Sequence, residues 1–345
     1  MTDAIRFLAG VARDYSLRPL SMSRVYAGCG TRNWSLRTEE GRFFVKEYPR
    51  QANAEEERQA LELAVFARDC GIPTPRVIAT HSEDLICTSG DTMFALFEWA
   101  DGCTATRSLS PEQMAQAGGV LGDIHRHFST IESPLPSETS RWLGFDAADK
   151  LREVERYVEI IRRKAEPDDF DRRTLPLLIE RQQLVREVPR ILQALPSLTT
   201  QVIHSDYGLP NVMFRDGRIS AVVDFQPPKP FLIAYEVGRV AFAPENFTSS
   251  GWIDKASVLI REYCRAHRVS VDDIGFAPHV WLVQLIRSMY GVKQHYTRPV
   301  ELQESLDRFW FQRAHAARTL FANLATLEET LNSVWETSAG DGRTG

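Results

Sequence analysis

The chain is poor in cysteine, and the few it has are arranged to build nothing. Cys29, Cys70, Cys87, Cys103 and Cys264 are odd in number, scattered and without a Cys-x-x-Cys pair. This excludes a disulfide framework and a cysteine zinc site, and reads as reduced thiols. Long apolar runs are missing too: nothing approaches the ~20 consecutive apolar residues of a membrane-spanning helix. The first ten residues carry Asp3 and no apolar core, so they do not read as a secretory signal. The expectation is a soluble, cytoplasmic protein without a membrane partner. Positive charge is in deficit, with 41 Lys and Arg against 46 Asp and Glu and a net charge of -5. A nucleic-acid partner needs a basic stripe and is excluded on that ground, whereas cationic or zwitterionic small substrates fit. There is no internal repeat. The low-complexity tail, 337–345, is expected to be disordered.

What is present is an ordinary globular composition, 43% hydrophobic over 345 residues, enough for two modest lobes or one large domain. Residues 3–16 read as an amphipathic helix with Ile5, Leu8, Val11 and Tyr15 on its apolar stripe. Strand-like runs follow at 20–27, 31–38 and 42–48, broken by Gly28-Cys29-Gly30 and Glu40-Gly41. A helix starts at Asn53-Ala-Glu-Glu56 and continues to about Cys70, where Gly71-Ile-Pro-Thr-Pro75 stops it. A second hairpin runs 84–88 and 92–99. From Ser110-Pro111-Glu112 onward the pattern is helical, with helices expected to about residue 127, over 147–164, over 175–195, from about 234, and through most of 253–334. His125 and His127 stand two residues apart and do not converge on one helix face, so they read as core or surface histidines rather than a metal pair.

The interruption in this helical half carries the chemistry. In Gln201-Val-Ile-His204-Ser-Asp206-Tyr-Gly-Leu-Pro-Asn211, followed by two short apolar runs around Arg215-Asp216-Gly217-Arg218 and closing on Asp224-Phe225, the Asp-Gly pair between β-favouring runs signals a hairpin. Asp206 and Asn211 enter that hairpin and Asp224 leaves it, so its folding can gather all three at one end. A carboxylate, an amide and a second carboxylate suit Mg²⁺, which prefers hard oxygen ligands and borrows others from phosphates. The same set suits a hydroxyl nucleophile that must lose a proton.

The spacing His-x-Asp-x4-Asn, then Val-Val-Asp-Phe and Ala-Tyr-Glu236, resembles the aminoglycoside phosphotransferase family, which also holds choline kinases and one class of homoserine kinases. The resemblance runs from about Val25 to Phe247. It implies an α+β, bilobal protein-kinase-like fold, with an antiparallel-sheet N-lobe carrying one main helix over 1–99 and a mostly helical C-lobe over 100–336 that includes the catalytic hairpin. It implies Asp206 as the base and Asn211 and Asp224 as Mg²⁺ ligands. A lysine on a strand is usually a solvated edge residue, but by resemblance Lys46 neutralises nucleotide phosphates, oriented by Glu57 with Glu56 as a close rival. Gly28 and Gly30 would cover the phosphates, although an ordinary hairpin turn explains them equally well. Glu98, Trp99 and Ala100 fall at the family's hinge, where backbone groups meet a purine edge, so ATP and GTP are not distinguished. His204 reads as a brace for the loop.

Two departures stand out. Glu236 sits where the family usually has Asp, which leaves that residue's contacts open, and Gln226 replaces an acid often found after Asp-Phe. Ala243-Pro244-Glu245 imitates a protein-kinase motif, but the segment before it is too short for a folded activation loop. The expected function is an ATP- or GTP-dependent O-phosphotransferase acting on a small molecule: an antibiotic, an amino alcohol or a homoserine-like amino acid. The alternatives are a protein serine/threonine kinase, which the missing catalytic-loop arginine opposes, and a nucleotide-binding pseudoenzyme. Oligomeric state is not legible.

Overall fold

The computed structural model describes residues 3–26, 31–89, 91–248, 250–297 and 303–341. In chain order they form α1 (Asp3–Tyr15), β1 (Pro19–Val25), β2 (Arg32–Thr38), β3 (Gly41–Glu47), α2 (Ala54–Asp69), β4 (Val77–Ile78), β5 (Cys87–Ser89), β6 (Thr92–Glu98) and β7 (Cys103–Thr104). There follow α3 (Pro111–Phe128), α4 (Thr139–Leu143), α5 (Ala147–Arg162), α6 (Asp169–Ala194), β8 (Thr200–Val202), β9 (Val212–Arg215), β10 (Arg218–Val222) and β11 (Pro230–Leu232). The chain ends in α7 (Ile233–Ala241), α8 (Trp252–Ala266), α9 (Val271–Gly275), α10 (Ala277–Arg287), α11 (Val292–Thr297) and α12 (Gln303–Asp341). None of these helices is long and apolar enough to cross a membrane.

The chain divides into two compact units. The first comprises Met1–Ala105, His204–Asp206 and Pro210–Pro228. Its main sheet is antiparallel in the order β1-β2-β3-β6-β4, with β5 pairing β6, six strands among the described residues. Val11 and Tyr15 from α1, Leu36, Val45, Phe94 and Leu96 make its core, against which Leu8 packs. Ile5 lies outside the described side chains. The hairpin β9–β10, expected with the helical part, groups instead with the sheet-bearing unit. Its hydrogen bonds explain this: β7 pairs with β9, and the Val222 amide donates to the Pro73 carbonyl at 2.6 Å. Gly102 sits so close to the hairpin that a Cβ there would lie 2.8 Å from the Phe214 carbonyl oxygen, and its φ of 134° suits glycine.

The second unit, Thr106–Ile203, Tyr207–Leu209 and Lys229–Gly345, is helical apart from the short pair β8–β11. Gly118 and Gly122 let α3 lie against α8 with almost no gap, since a Cβ at Gly118 would meet the Leu259 carbonyl oxygen at 2.0 Å. α6 begins earlier than its prolines suggest: Asp168 and Asp171 form a capping box, and Pro176 and Pro189 both lie inside the helix. α12 continues past Thr337 to Asp341, where the sequence reading expects disorder; the Ser338 hydroxyl is buried and donates to the Val334 carbonyl at 2.7 Å.

Candidate active site

The turn between β9 and β10 takes φ of 52° at Asp216 and 77° at Gly217. Two successive left-handed residues twist the strands as a tight hairpin requires, which is why Asp-Gly marks it. Val212, Phe214, Ala221 and Val222 are buried, so the hairpin is held by its own apolar residues and its ends are fixed. At those ends two further non-glycine residues adopt left-handed backbone, Ser205 (φ 70°) and Asp224 (φ 65°). Each costs about 1–2 kcal/mol, a strain that persists only where surrounding bonds enforce it.

His204 supplies several of those bonds from a fully buried position. Its Nδ1 accepts from the Asp206 amide at 3.3 Å, so the ring is the tautomer whose Nε2 donates, here to the Val223 carbonyl at 3.1 Å. The Val223 amide donates to the Asn211 carbonyl at 2.9 Å and the Gln226 amide to the His204 carbonyl at 3.4 Å. These links cross between the stretch entering the hairpin and the stretch leaving it. A ring engaged at both nitrogens is a brace.

The side chains meet as follows. The Asn211 Nδ2 donates to Asp206 Oδ2 at 2.6 Å and to the Asp206 carbonyl at 2.9 Å, leaving Asn211 Oδ1 as the amide's acceptor atom. Lys46, from the middle of the main sheet, places Nζ 2.6 Å from Asp224 Oδ1. Glu57 on α2 does not take that ion pair. Half-burial pushes its carboxyl pKa up, opposed by the positive charge of Lys46 and reinforced by Asp224. Glu56 lies beside the cap, 3.5 Å from the Asn53 side-chain nitrogen. Lys46, Asp206, Asn211 and Asp224 thus all belong to the first unit, and two direct hydrogen-bonded pairs connect them.

At the expected hinge, the Glu98 amide donates to the Arg76 carbonyl at 2.9 Å and the Trp99 amide to the Arg42 carbonyl at 3.3 Å. The Arg42 guanidinium stacks 3.4 Å from the Trp99 ring centroid. Of the backbone groups expected to meet a purine edge, the Glu98 and Trp99 amides are therefore used within the unit. Gly28 and Gly30 lie outside the described residues.

In the helical unit, Glu236 resolves the question raised by its length. Its carboxylate is fully buried, accepts the Tyr207 amide at Oε1 (3.1 Å) and places Oε2 3.1 Å from His125 Nε2. His125 in turn meets the Tyr263 hydroxyl at 2.8 Å through Nδ1. The longer side chain reaches two partners on different elements, and His125 is a core residue, as expected. A missed feature is Arg313, a buried guanidinium late in the chain that nothing in its local pattern distinguishes from the surface arginines of α12.

A family model described as the phosphotransferase enzyme family matches residues 21–274, spanning the sheet, the hairpin and the helices up to α9. The chain belongs to this family. It is a phosphotransferase that acts on small molecules. Among curated members, a homoserine kinase of Caulobacter sp. (strain K31) is 27% identical over 268 residues, covering 76% of this chain and 78% of that one. The phosphotransferase fold is shared with spectinomycin phosphotransferase APH(9)-Ia, solved with ADP and spectinomycin, at a TM-score of 0.69 and 14% identity over 92% of this chain and 98% of that one. It is shared likewise with amicoumacin kinase hAmiN, solved in complex with AMP-PNP, Ca²⁺ and Ami, at a TM-score of 0.66 and 14% identity over 91% and 94% of the two chains.

Proposed function

We propose that this phosphotransferase moves the terminal phosphoryl group of ATP to the hydroxyl of a small amino-acid acceptor of the homoserine type, with Asp206 as base. The observation that carries the reading is the hydrogen-bonded set of Asp206, Asn211, Asp224 and Lys46 around one braced hairpin. A hydroxyl is a poor nucleophile at neutral pH, and a carboxylate that accepts its proton during transfer contributes about 10²- to 10⁴-fold. As the acceptor oxygen bonds to phosphorus, the bond to the ADP oxygen breaks and the proton passes to the Asp206 carboxylate. Asn211 holds one oxygen of that carboxylate and so fixes its direction.

The donor set fits Mg²⁺: Asp224 and the Asn211 Oδ1 are hard oxygens on adjoining segments, and such sites complete their shell with phosphate and water. When bound, the ion would neutralise charge on the transferring group. Lys46 would hold the nucleotide phosphates, exchanging its Asp224 partner for them, with Glu57 close enough to feel its charge. Homoserine is favoured as acceptor type by the homoserine kinase relative; an antibiotic hydroxyl is the second reading, favoured by likeness to spectinomycin and amicoumacin kinases. A soluble cytoplasmic enzyme follows from this reading.

A coupled nucleotide-consumption assay with ATP or GTP and Mg²⁺, run across homoserine, choline, aminoglycosides and peptides, tests it. Turnover with homoserine that disappears in Asp206→Asn is the expected result. Consumption with none of these acceptors, or a fully active Asp206→Asn variant, overturns it.

A further inference from the structure

The stretch that leaves the β9–β10 hairpin is short of backbone donors. Pro227 and Pro228 follow Gln226, and a proline nitrogen has no hydrogen to give. A turn that closed on the Asp224 carbonyl would draw its donor from three or four residues further on, which are those two nitrogens. The side chain of Gln226 takes their place, with its Nε2 donating to the Asp224 carbonyl at 3.1 Å. Chemistry fixes the direction of this bond, because a carbonyl oxygen only accepts and the amide nitrogen is the side chain's one donor atom.

The bond falls where the backbone needs it. Asp224 holds a φ of 65°, a left-handed conformation that a non-glycine residue keeps only where its surroundings enforce it. Before it, the Val223 amide donates to the Asn211 carbonyl and the Val223 carbonyl accepts from His204 Nε2. After it, the Phe225 ring is 5% exposed and lies 4.3 Å from the His204 ring, and the Gln226 amide donates to the His204 carbonyl. These contacts hold the residues on either side, whereas the Gln226 side chain grips Asp224 itself. Pro227 helps, since a residue ahead of proline is confined to extended backbone and its side chain is presented in few ways. From this fixed backbone the Asp224 carboxylate is aimed at Lys46, with Oδ1 2.6 Å from Nζ. Every group named lies within the first unit.

From this geometry we infer that Gln226 is a positioning residue for phosphoryl transfer: its amide supplies the donor that Pro227 and Pro228 lack, and so keeps Asp224 in the backbone conformation from which its carboxylate serves Mg²⁺. The inference deepens the reading of Asp224 as a Mg²⁺ ligand and rests on that reading for the metal. Glutamate at this position would match the length and bring a negative charge, but at neutral pH it has no hydrogen to donate.

Gln226→Met and Gln226→Glu both remove the donor and differ in charge, so together they test the lock. The first measurement needs neither metal nor nucleotide: hydrogen exchange of the ligand-free protein, read over 223–226. One side-chain hydrogen bond to a backbone carbonyl is worth about 3- to 10-fold in local opening, and both variants should exchange faster by that factor there while β3 exchanges as in wild type. The second is calorimetry with AMP-PNP. In Gln226→Met the Mg²⁺ concentration for half-maximal binding should rise about 3- to 10-fold, with binding in the absence of Mg²⁺ unchanged. Gln226→Glu, despite its added charge, should bind Mg²⁺ no more tightly than wild type. Unchanged exchange over 223–226 in both variants overturns the inference. So does faster exchange throughout the sheet, or an equal loss of AMP-PNP binding with and without Mg²⁺, either of which makes Gln226 a residue of general stability. Tighter Mg²⁺ binding by Gln226→Glu overturns it by showing that charge rather than aim limits the site. Wild type that binds AMP-PNP with no dependence on Mg²⁺ sinks the metal reading of Asp224 and the positioning role with it, an outcome told apart from failure of the lock by the ligand-free exchange.

Discussion

Asp206 and Lys46 carry the sharpest consequences of single side chains. Asparagine at position 206 keeps the shape and can still meet Asn211, but it cannot take a proton. The Asp206→Asn variant should therefore lose about 10²- to 10⁴-fold in kcat with a melting temperature near that of wild type, measured by steady-state kinetics beside a thermal scan. Lys46→Met removes a charged donor from the expected phosphate site and leaves Asp224 without its 2.6 Å counter-ion. Losing a charged hydrogen bond costs about 1.5–3 kcal/mol, so its KM for ATP should rise roughly 10- to 100-fold. At this scale the sequence is informative about type and spacing and silent about pairing. Asp206, Asn211 and Asp224 are legible because a hairpin between them constrains where they can go. Nothing local says that Lys46 pairs with Asp224 across 178 positions rather than with Glu57 on the next helix.

Secondary-structure elements were legible where their boundary chemistry is local. Asp216-Gly217 fixes the hairpin turn, Ser110 and Gln113 form the capping box that opens α3, and Asn53 caps α2. The sequence reading starts α6 at residue 175, whereas the capping box of Asp168 and Asp171 opens it at Asp169, and burial of Leu178, Val185 and Val188 along the helix outweighs the hydrogen bonds lost at Pro176 and Pro189. The α3–α8 contact yields a prediction of its own kind. Gly118→Ala places a methyl group 2.0 Å from the Leu259 carbonyl oxygen, and a backbone atom cannot rotate away. Helix propensity alone would make the change stabilising by about 1 kcal/mol. Overpacking should win, with a net loss of roughly 1–3 kcal/mol visible as a lower urea midpoint, while Gly119→Ala, which meets nothing within 4 Å, should show the propensity gain instead.

For the molecule as a whole, acid sensitivity follows from histidines kept neutral by burial. Desolvation draws His267 down to about 4, helped by electrostatic repulsion from its neighbours, the Arg126 guanidinium among them, and draws His279 down to about 4 despite the Glu328 carboxylate 3.8 Å away. The unfolded chain protonates these rings near pH 6.5 and the folded chain only near 4. Across that window the unfolded state binds more protons, so stability falls as pH drops and is fully present above about 6.5. Denaturant midpoints measured from pH 7.5 to 4.5 should decline, and a His279→Phe, His267→Gln double variant should flatten the decline.

The sequence by itself determined the chemistry class and the local scaffold: oxygen donors at fixed spacing about an Asp-Gly hairpin, and strands before helices. These are properties of neighbours along the chain, and steric and hydrogen-bonding rules act on neighbours directly. Only the tertiary structure decided that the hairpin joins the sheet-bearing unit, that Glu236 spans Tyr207 and His125, and that the Arg313 guanidinium ends buried. Those outcomes depend on which distant groups share one buried volume, where an unmade hydrogen bond is costly, and periodicity carries no record of that.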